Sequence, residues 1–186
     1  KTEISEYWNG DIPWFSVVDA PSENNVFVIR CEKYISQKGL ENSSTKILPV
    51  NTTIITARGT VGKLAVTGVP MAMNQSCYGV APNDGKSFFY LYLVIKKSLA
   101  ALKSQVHGAV FDTITRDTLN HIDITISSDK VVDMFEMTVQ PVFQKILQNN
   151  FQIQTLSQLR DALLPKLMSG KIRVPEVGKR AENRNG

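Results

Sequence analysis

The sequence has few cysteines and no long apolar stretch, and each shortage excludes a class of protein. Its 186 residues include only two cysteines, Cys31 and Cys77, too few for the disulfide framework of a small secreted domain. No stretch approaches the roughly 20 apolar residues that a membrane-spanning helix needs, and the first four residues begin no signal peptide. We therefore expect a cytoplasmic protein with reduced thiols and no membrane contact.

A strong charge of one sign is lacking as well. Residues 1–128 contain 12 basic and 11 acidic side chains, and residues 129–170 contain four of each. The formal net charge of +4 therefore comes mainly from residues 171–186, a short basic tail that we interpret as solvated. Without a broadly basic surface, any contact of the first 128 residues with nucleic acid has to be built locally, from loops.

Familiar catalytic and metal-binding motifs are missing too. The sequence contains no G-x-G-x-x-G, H-E-x-x-H or C-x-x-C, and no D/N-P-P-F/Y tetrapeptide of a DNA amino-methyltransferase. The turn Gly59–Lys63 resembles the end of a phosphate loop, but Leu64 follows it where Ser or Thr is required, and Ala57 replaces the first glycine. We expect a tight turn there, and no catalytic residue, metal or cofactor held by this chain.

What is present is, first, a series of short apolar and β-branched segments separated by turn residues. This pattern predicts a β-rich domain over residues 1–128. Strands are expected at residues 26–31, 51–57, 62–67, 77–81 and 121–126, and a helix at 87–105. Together with the helical pattern that follows, these segments predict an α+β fold, a β-rich domain followed by a long coiled-coil-forming helix.

A helical period replaces the strand pattern at Ser127-Ser128-Asp129, a cluster typical of a helix N-cap. Apolar residues then recur in heptads and Gly170 supplies a stop, so we expect a helix over residues 129–169, which Pro141 or Pro165 could kink or split. Its predicted seam consists of Val132, Phe135, Val139, Val142, Ile146, Ile153, Leu156 and Leu163. Such a seam favours pairing with a second helix; the alternative is that the helix packs as core on its own domain.

Polar side chains concentrate at the turns of the β-rich domain. Arg and Lys can read guanine, Asn and Gln can read adenine, and Ser, Thr and Lys can hold phosphates. The candidate DNA contacts are Lys38, Ser43, Ser44, Lys46, Arg58, Thr60, Lys63, Asn74 and Gln75. Because polar residues occur in loops for solubility alone, each candidate also has a plain interpretation as a solvated side chain.

The two tryptophans raise a separate question, since aromatic side chains can stack on bases. Trp14 lies beside Pro13 and Phe15, and we predict that its indole belongs to the core instead. For Trp8 both alternatives stay open.

Several segments, in the same order along the chain, resemble type I restriction–modification specificity subunits. The segments that resemble their target recognition domains are Glu6–Trp14, Thr56–Gly62, Met73–Cys77 and His107–Phe111. The run Leu156–Ile172, which contains Leu-Arg-Asp-Ala-Leu-Leu-Pro-Lys-Leu, resembles their conserved-region helix. The resemblance covers residues 6–172, one recognition domain and one helix, where a full-length subunit of that family has two of each.

The resemblance implies a non-catalytic subunit that recognises half of a bipartite site in double-stranded DNA. Residues 1–128 would be the DNA target recognition domain, residues 129–170 the helix that sets the spacing, dimerises and docks other subunits, and residues 171–186 a basic tail. It also implies docking onto methyltransferase subunits and restriction subunits, which carry the S-adenosylmethionine, ATP and Mg. A chain with one such helix is expected to form a homodimer through it.

Two other classes of function stay open at this point. One is an enzyme with an unfamiliar site, which would turn over a nucleic-acid substrate by itself. The other is a coiled-coil adaptor that binds only protein, which would show no DNA sequence preference.

Overall fold

The computed structural model describes residues 4–22, 25–105, 113–121 and 124–173. The chain separates into two compact units, Lys1–Gln148 and Asn149–Gly186. The first unit contains all the β-strands of the described part of the chain, and the longest helix begins in the first unit and ends in the second. Within these described ranges, no helix combines the length and the apolar character needed to cross a membrane.

Seven strands in the described residues form two small sheets. In chain order they are β1 (Trp8–Phe15), β2 (Phe27–Val28), β3 (Lys33–Ile35), β4 (Thr53–Thr56), β5 (Leu64–Thr67), β6 (Ala72–Met73) and β7 (Cys77–Val80). The first sheet has the order β3-β1-β6, with β3 antiparallel and β6 parallel to β1. The second has the order β2-β5-β4-β7, with β4 antiparallel to both neighbours and β2 parallel to β5. All four residues of β4 are buried, as expected of a central β-branched strand covered on both faces.

The helices of the described residues are α1 (Gln37–Glu41), α2 (Phe88–Gln105), α3 (Arg116–Asn120) and α4 (Asp129–Met168). Helix α4 continues without a break through Pro141 and Pro165, so neither proline splits it. Gly170 follows with a φ of 70°, and its N–H donates to the carbonyl of Leu167 at 3.1 Å. Glycine suits this position because it adopts the left-handed conformation without steric cost. The predicted long helix and its glycine stop are confirmed.

A phenylalanine cluster packs the first part of α4 on the β-rich domain. Phe143 stacks on Phe89 of α2, with ring centroids 4.3 Å apart and planes 11° apart. Phe27 of β2 and Tyr92 of α2 meet the ring of Phe143 edge-on, at 6.3 and 5.8 Å. Helix α4 therefore contributes directly to the core of the first unit.

A buried carboxylate joins the same part of α4 to the beginning of α2. The two carboxylate oxygens of Glu136 accept hydrogen bonds from the backbone N–H groups of Phe89 and Tyr90, at 3.1 and 2.8 Å. These N–H groups lie in the first turn of α2, where the helix itself offers no carbonyl partner. The negative charge also faces the positive end of the helix dipole. Glu136 thus caps α2 from another helix.

The structure divides the predicted helix seam. Val132 is buried, and Val139 and Ile146 pack against the phenylalanine cluster. The expectation of a second helix is corrected for these three residues, because they already contact their own domain. The other five seam residues are exposed: Phe135, Val142, Ile153, Leu156 and Leu163.

The strand predictions are confirmed in the middle of the chain and wrong near residue 124. Strands β4, β5 and β7 fall within three of the predicted segments, and α2 falls within the predicted helix. The segment 26–31 shortens to the two residues of β2. Residues 124–126 form no strand, and Ile124 and Ile126 are exposed. Alternation defines a possible face, but a strand also needs a neighbouring edge to pair with. Residues 122–123 lie outside the described residues.

Candidate nucleic-acid interface

Strand register brings two candidate loops to one end of the second sheet. Thr56, at the end of β4, pairs with Cys77, at the start of β7, and the Ala57 N–H donates to the carbonyl of Ser76 at 2.8 Å. The turn after β4 carries Arg58, and the loop before β7 carries Asn74 and Gln75. Since the two strands are antiparallel, both loops lie at the same end of the sheet.

The turn that carries Arg58, Thr60 and Lys63 has a fixed backbone and exposed side chains. The Thr56 hydroxyl donates to the Thr60 carbonyl and accepts from the Lys63 N–H, at 3.0 Å for the latter. From outside the turn, the ammonium group of Lys103 donates to the Gly62 carbonyl at 3.1 Å. None of the three candidate side chains forms an ion pair within the described ranges. The turn therefore presents two cations and a hydroxyl on a rigid support.

A third loop, residues 43–46, is hydrogen-bonded to the end of β6, directly before the loop that precedes β7. The Thr45 hydroxyl donates to the Met73 carbonyl at 2.8 Å and accepts from the Met73 N–H at 3.3 Å. Between this loop and β1 lies an open cleft of about 550 Å³. The candidates that line the cleft are Ser43, Ser44, Lys46, Asn74 and Gln75. The fold thus collects in one place residues that are up to 32 positions apart in the sequence.

In the loop before β7, the carboxamide of Asn74 is hydrogen-bonded within the loop, whereas that of Gln75 is exposed. The backbone N–H of Asn74 donates to the Phe15 carbonyl at 2.9 Å, and its side-chain oxygen accepts from the Ser76 N–H at 3.0 Å. Its amino group remains a hydrogen-bond donor at the cleft. Gln75 is exposed and can offer both the donor and the acceptor that bidentate contact with adenine requires.

Lys38 already forms an ion pair within the chain, so its ammonium group is not free to bind DNA. Its ammonium group binds the carboxylate of Glu6, 32 positions earlier in the chain. This hydrogen bond and the accompanying charge interaction raise the pKa of Lys38 and lower the pKa of Glu6. A phosphate would have to compete with Glu6 for Lys38, whereas Lys46 and Lys63 carry no such partner in the described part of the chain.

The prediction that the indole of Trp14 belongs to the core is wrong. Trp14 is half-buried and not part of the core, while its neighbour Phe15 is completely buried. The rings of Trp8 and Trp14 meet edge-to-face, with centroids 5.0 Å apart, and both line the cleft. The ammonium group of Lys33 lies 5.8 Å from the centroid of Trp8. The sequence pattern missed this aromatic wall because β1 contains Gly10 and Pro13 and shows no simple alternation.

Chemically, the assembled surface consists of hydroxyls, carboxamides, cations and aromatic faces. Such groups suit hydrogen bonding to base edges and phosphates. In the described ranges no three His, Cys, Asp or Glu side chains form a cluster suited to a metal ion. The segment His107–Phe111, which resembled part of a recognition domain, lies outside the described residues.

A family model and two curated relatives all identify the chain as similar to type I restriction specificity subunits. The model of the type I restriction modification DNA specificity domain matches residues 1–163. The chain is 28% identical over 170 residues to the HindI type I restriction enzyme specificity subunit of Haemophilus influenzae. It is 30% identical over 151 residues to the MjaIX type I restriction enzyme specificity subunit of Methanocaldococcus jannaschii. These alignments cover 90% and 80% of the chain but 37% and 35% of the relatives, so the chain spans little more than a third of their length.

Solved structures support the same fold. The HsdS subunit from Thermoanaerobacter tengcongensis superimposes with a TM-score of 0.52 at 16% identity, covering 91% of this chain and 41% of that one. A chain from a structural study of complex assembly and conformational transition in the type I R-M system gives a TM-score of 0.53 at 17% identity, covering 88% and 40%.

Proposed function

Because the chain belongs to the family of type I restriction modification DNA specificity domains, we propose that it recognises one half of a bipartite target in double-stranded DNA. The observation that carries this proposal is the meeting of three donor-rich loops at one end of the β-rich domain, around Arg58, Lys46 and Gln75. Hydrogen bonds to base edges specify sequence, whereas contacts to phosphate fix the position on the duplex. The loops offer side chains of both kinds.

The charge balance supports recognition that depends on sequence more than on general attraction to DNA. Residues 1–128 are nearly neutral, so few counterions would be released by phosphate contacts, and non-specific affinity would be low. Arg58 is suited to guanine and Gln75 to adenine, while Lys46, Lys63, Ser43 and Ser44 are suited to phosphates.

We further propose that the chain recognises the DNA target and catalyses no reaction itself. In this proposal it docks onto methyltransferase subunits, which bind S-adenosylmethionine, and onto restriction subunits, which use ATP and Mg, in the cytoplasm. Both relatives described above are specificity subunits of restriction enzymes, which supports this division of roles.

The exposed apolar residues of α4 support a homodimer. Ile153 and Leu156 are 61% and 62% exposed, although burying such side chains is normally favourable by roughly 1.5–3 kcal/mol each. An antiparallel pair of these helices would relate two recognition domains by a two-fold axis. The target would then be palindromic, and helix length would set the spacer between its two half-sites.

Selection from random-sequence duplexes tests the function directly. The purified chain is incubated with a duplex pool, bound DNA is amplified, and the enriched sequences are read. We expect two inverted half-sites with a fixed spacer, which methylome sequencing of the host should also show. Absence of any enriched sequence would contradict DNA recognition and favour the protein-binding adaptor.

Arg58 provides the sharper test of the proposed surface. Arg58→Ala should weaken binding to the selected duplex by about 1–3 kcal/mol if the guanidinium reads a base, and should relax preference at one position. If Arg58 only touches phosphate, all sequences should weaken together and the salt dependence should become shallower. Unchanged binding at every salt concentration would remove Arg58 from the interface.

Arg30→Ala is the matched control for this test. Val28 of β2 pairs with Thr67 at the far end of β5, so Arg30 lies beyond the opposite end of the second sheet. The control removes the same charge from an exposed arginine, and we expect it to leave sequence preference unchanged.

A further inference from the structure

We propose that the cleft between β1 and the loops at residues 43–46 and 73–75 holds one nucleobase that has left the DNA stack, with the Trp8–Trp14 pair as its aromatic wall. This inference rests on the proposed DNA-binding function and assigns a role to residues outside the candidate contacts. It identifies the ligand class as an unstacked base, not the edge of a paired one.

The first support is the position of the two indoles. Trp8 and Trp14 are the only tryptophans in the chain, and both are half-buried at the surface of β1. The adjacent Phe15 is fully buried, so the strand places an aromatic ring in the core where packing requires one. The edge-to-face arrangement, with planes at 86°, creates a corner in which a planar ligand can stack on one ring and contact the edge of the other.

The second support is the concave shape of the site. The tryptophan pair lines the 550 Å³ cleft on one side and a second cleft of about 480 Å³, next to Lys33 and Tyr34, on the other. A base pair in a duplex presents only its edges in the grooves, because its faces are covered by stacked neighbours. An aromatic wall inside a cleft can therefore meet a base face only after that base has been extruded.

The third support is the chemistry of the lining. Ile35, Leu48 and Met73 provide apolar surface, while Asn74 and Gln75 place carboxamides at the same cleft. A nucleobase has apolar faces and a polar edge, and mainly apolar sites with a few placed polar groups are typical of small planar ligands. The site is continuous with the candidate interface, since Asn74 and Gln75 belong to both.

The fourth support is local charge. Lys46 lines the first cleft and Lys33 the second, and neither forms an ion pair among the described residues. These cations flank the aromatic corner, where the phosphates on each side of an extruded nucleotide would pass. In a nearly neutral domain, stacking and local cations are the means left for holding a single unstacked nucleotide.

Intrinsic fluorescence tests the inference with the full chain, because the two tryptophans of the chain both belong to this aromatic wall. The probes are the hexanucleotide d(A)6, a 20-base-pair duplex with one bulged adenine, and the same duplex fully paired. We expect saturable quenching by the hexanucleotide and about tenfold tighter binding of the bulged duplex than of the paired one, since the bulge removes much of the cost of extrusion.

Substitution separates stacking from simple packing. Trp14→Leu should weaken binding of the bulged duplex about tenfold or more, whereas Trp14→Phe, which keeps an aromatic face, should change it by less than about threefold. The emission of Trp8 and the urea midpoint report whether each variant is folded. Gln75→Ala, at an exposed position, should weaken d(A)6 more than d(T)6 and provides a second variant if Trp14→Leu does not fold.

The possible failures are distinguishable. Equal affinity for bulged and paired duplexes, with tryptophan emission unchanged at saturation, would overturn the inference and leave sequence-specific duplex recognition intact. Quenching by d(A)6 that Trp14→Leu does not weaken would also overturn it. Failure of the proposed function itself appears elsewhere, as the absence of an enriched sequence in the selection from paired duplexes.

Discussion

The two halves of α4 share one helix and one apolar period but differ in what surrounds them. In the first half, Val132, Glu136 and Phe143 are buried against the β-rich domain. In residues 149–168 no side chain is buried, although Ile153 and Leu156 are as apolar as any in the first half. The comparison shows that a continuous heptad pattern does not identify a single partner. Here the apolar residues at one end of α4 belong to the domain core, and those at the other end are exposed.

The two halves of α4 differ in which residues occupy the positions that face the domain. The domain-facing positions are Val132, Glu136, Val139 and Phe143, which follow one another at intervals of four, three and four. The phenylalanine and the buried carboxylate find specific partners on α2. In residues 149–168 even the one aromatic side chain, Phe151, is 39% exposed, so the stability of this half as a helix gains most from pairing.

The largest effect is expected where the first half meets the core. Phe143→Ala removes a ring that contacts Phe27, Phe89 and Tyr92, and should lower the free energy of unfolding by about 3–5 kcal/mol in urea titration. Val142→Ala is the matched control one position along, where the side chain is 59% exposed. It should change the free energy of unfolding by about 0.5 kcal/mol or less. Equal losses of unfolding free energy in the two variants would contradict the distinction between the buried and the exposed face of α4.

A smaller effect is expected from the buried carboxylate. Glu136→Ala leaves two N–H groups of the first turn of α2 without their acceptor, which should cost about 1–3 kcal/mol of unfolding free energy. Glu136→Gln should cost less, since the amide oxygen still accepts. Asp133→Asn is the control, because Asp133 only forms an exposed ion pair with Lys86, and no measurable loss is expected. A larger loss for Asp133→Asn than for Glu136→Ala would refute the capping role.

A pH dependence is expected from the two thiols, which lie in the core of the first unit. Burial raises the pKa of Cys31 to about 12 and that of Cys77 to about 11, and the charge of Asp19 adds to both. Because the unfolded thiols ionise near pH 9.0, the folded state holds their protons more tightly. The stabilisation is full below that pH, and stability should decline as the pH rises from about 9 toward 11 and 12.

Alkylation by iodoacetamide at pH 8 connects these thiols to the helix comparison. We expect slow modification of the native chain, faster modification of Phe143→Ala, which opens the first unit, and no acceleration by Leu156→Asp. Acceleration by Leu156→Asp would show that the second half of α4 also supports the core.

Several features of the fold could be predicted from local pattern. β-branched runs identified β4 and β5, and the heptads with Gly170 identified α4. β1 was not predicted, because it contains a bulge in which both Trp8 and Ile12 pair with Ile35. That bulge depends on Asn9 at a φ of 60° and on Gly10, whose added Cβ would lie 2.4 Å from the Ile35 carbonyl oxygen. Such requirements come from tertiary contact and leave little trace in periodicity.

The candidate site shows the same limit. Turn composition predicted which loops carry donors, and strand register then brought Arg58 and Gln75 to one end of the second sheet. The sequence pattern could not predict that Glu6 forms an ion pair with Lys38, because the two residues are 32 positions apart. Nor could it predict that Trp14 lines a cleft, since the neighbouring Phe15 fills the core in its place. Whether the collected side chains contact DNA stays a prediction.

We propose that α4 packs against its own domain along its first half and against a second copy of the chain along its second half. Light scattering of the purified chain at micromolar concentration measures this most directly. We expect the mass of a dimer, which Leu156→Asp combined with Leu163→Asp should reduce to that of a monomer. A clean monomer for the unmodified chain at the same concentration would contradict pairing through the second half of α4.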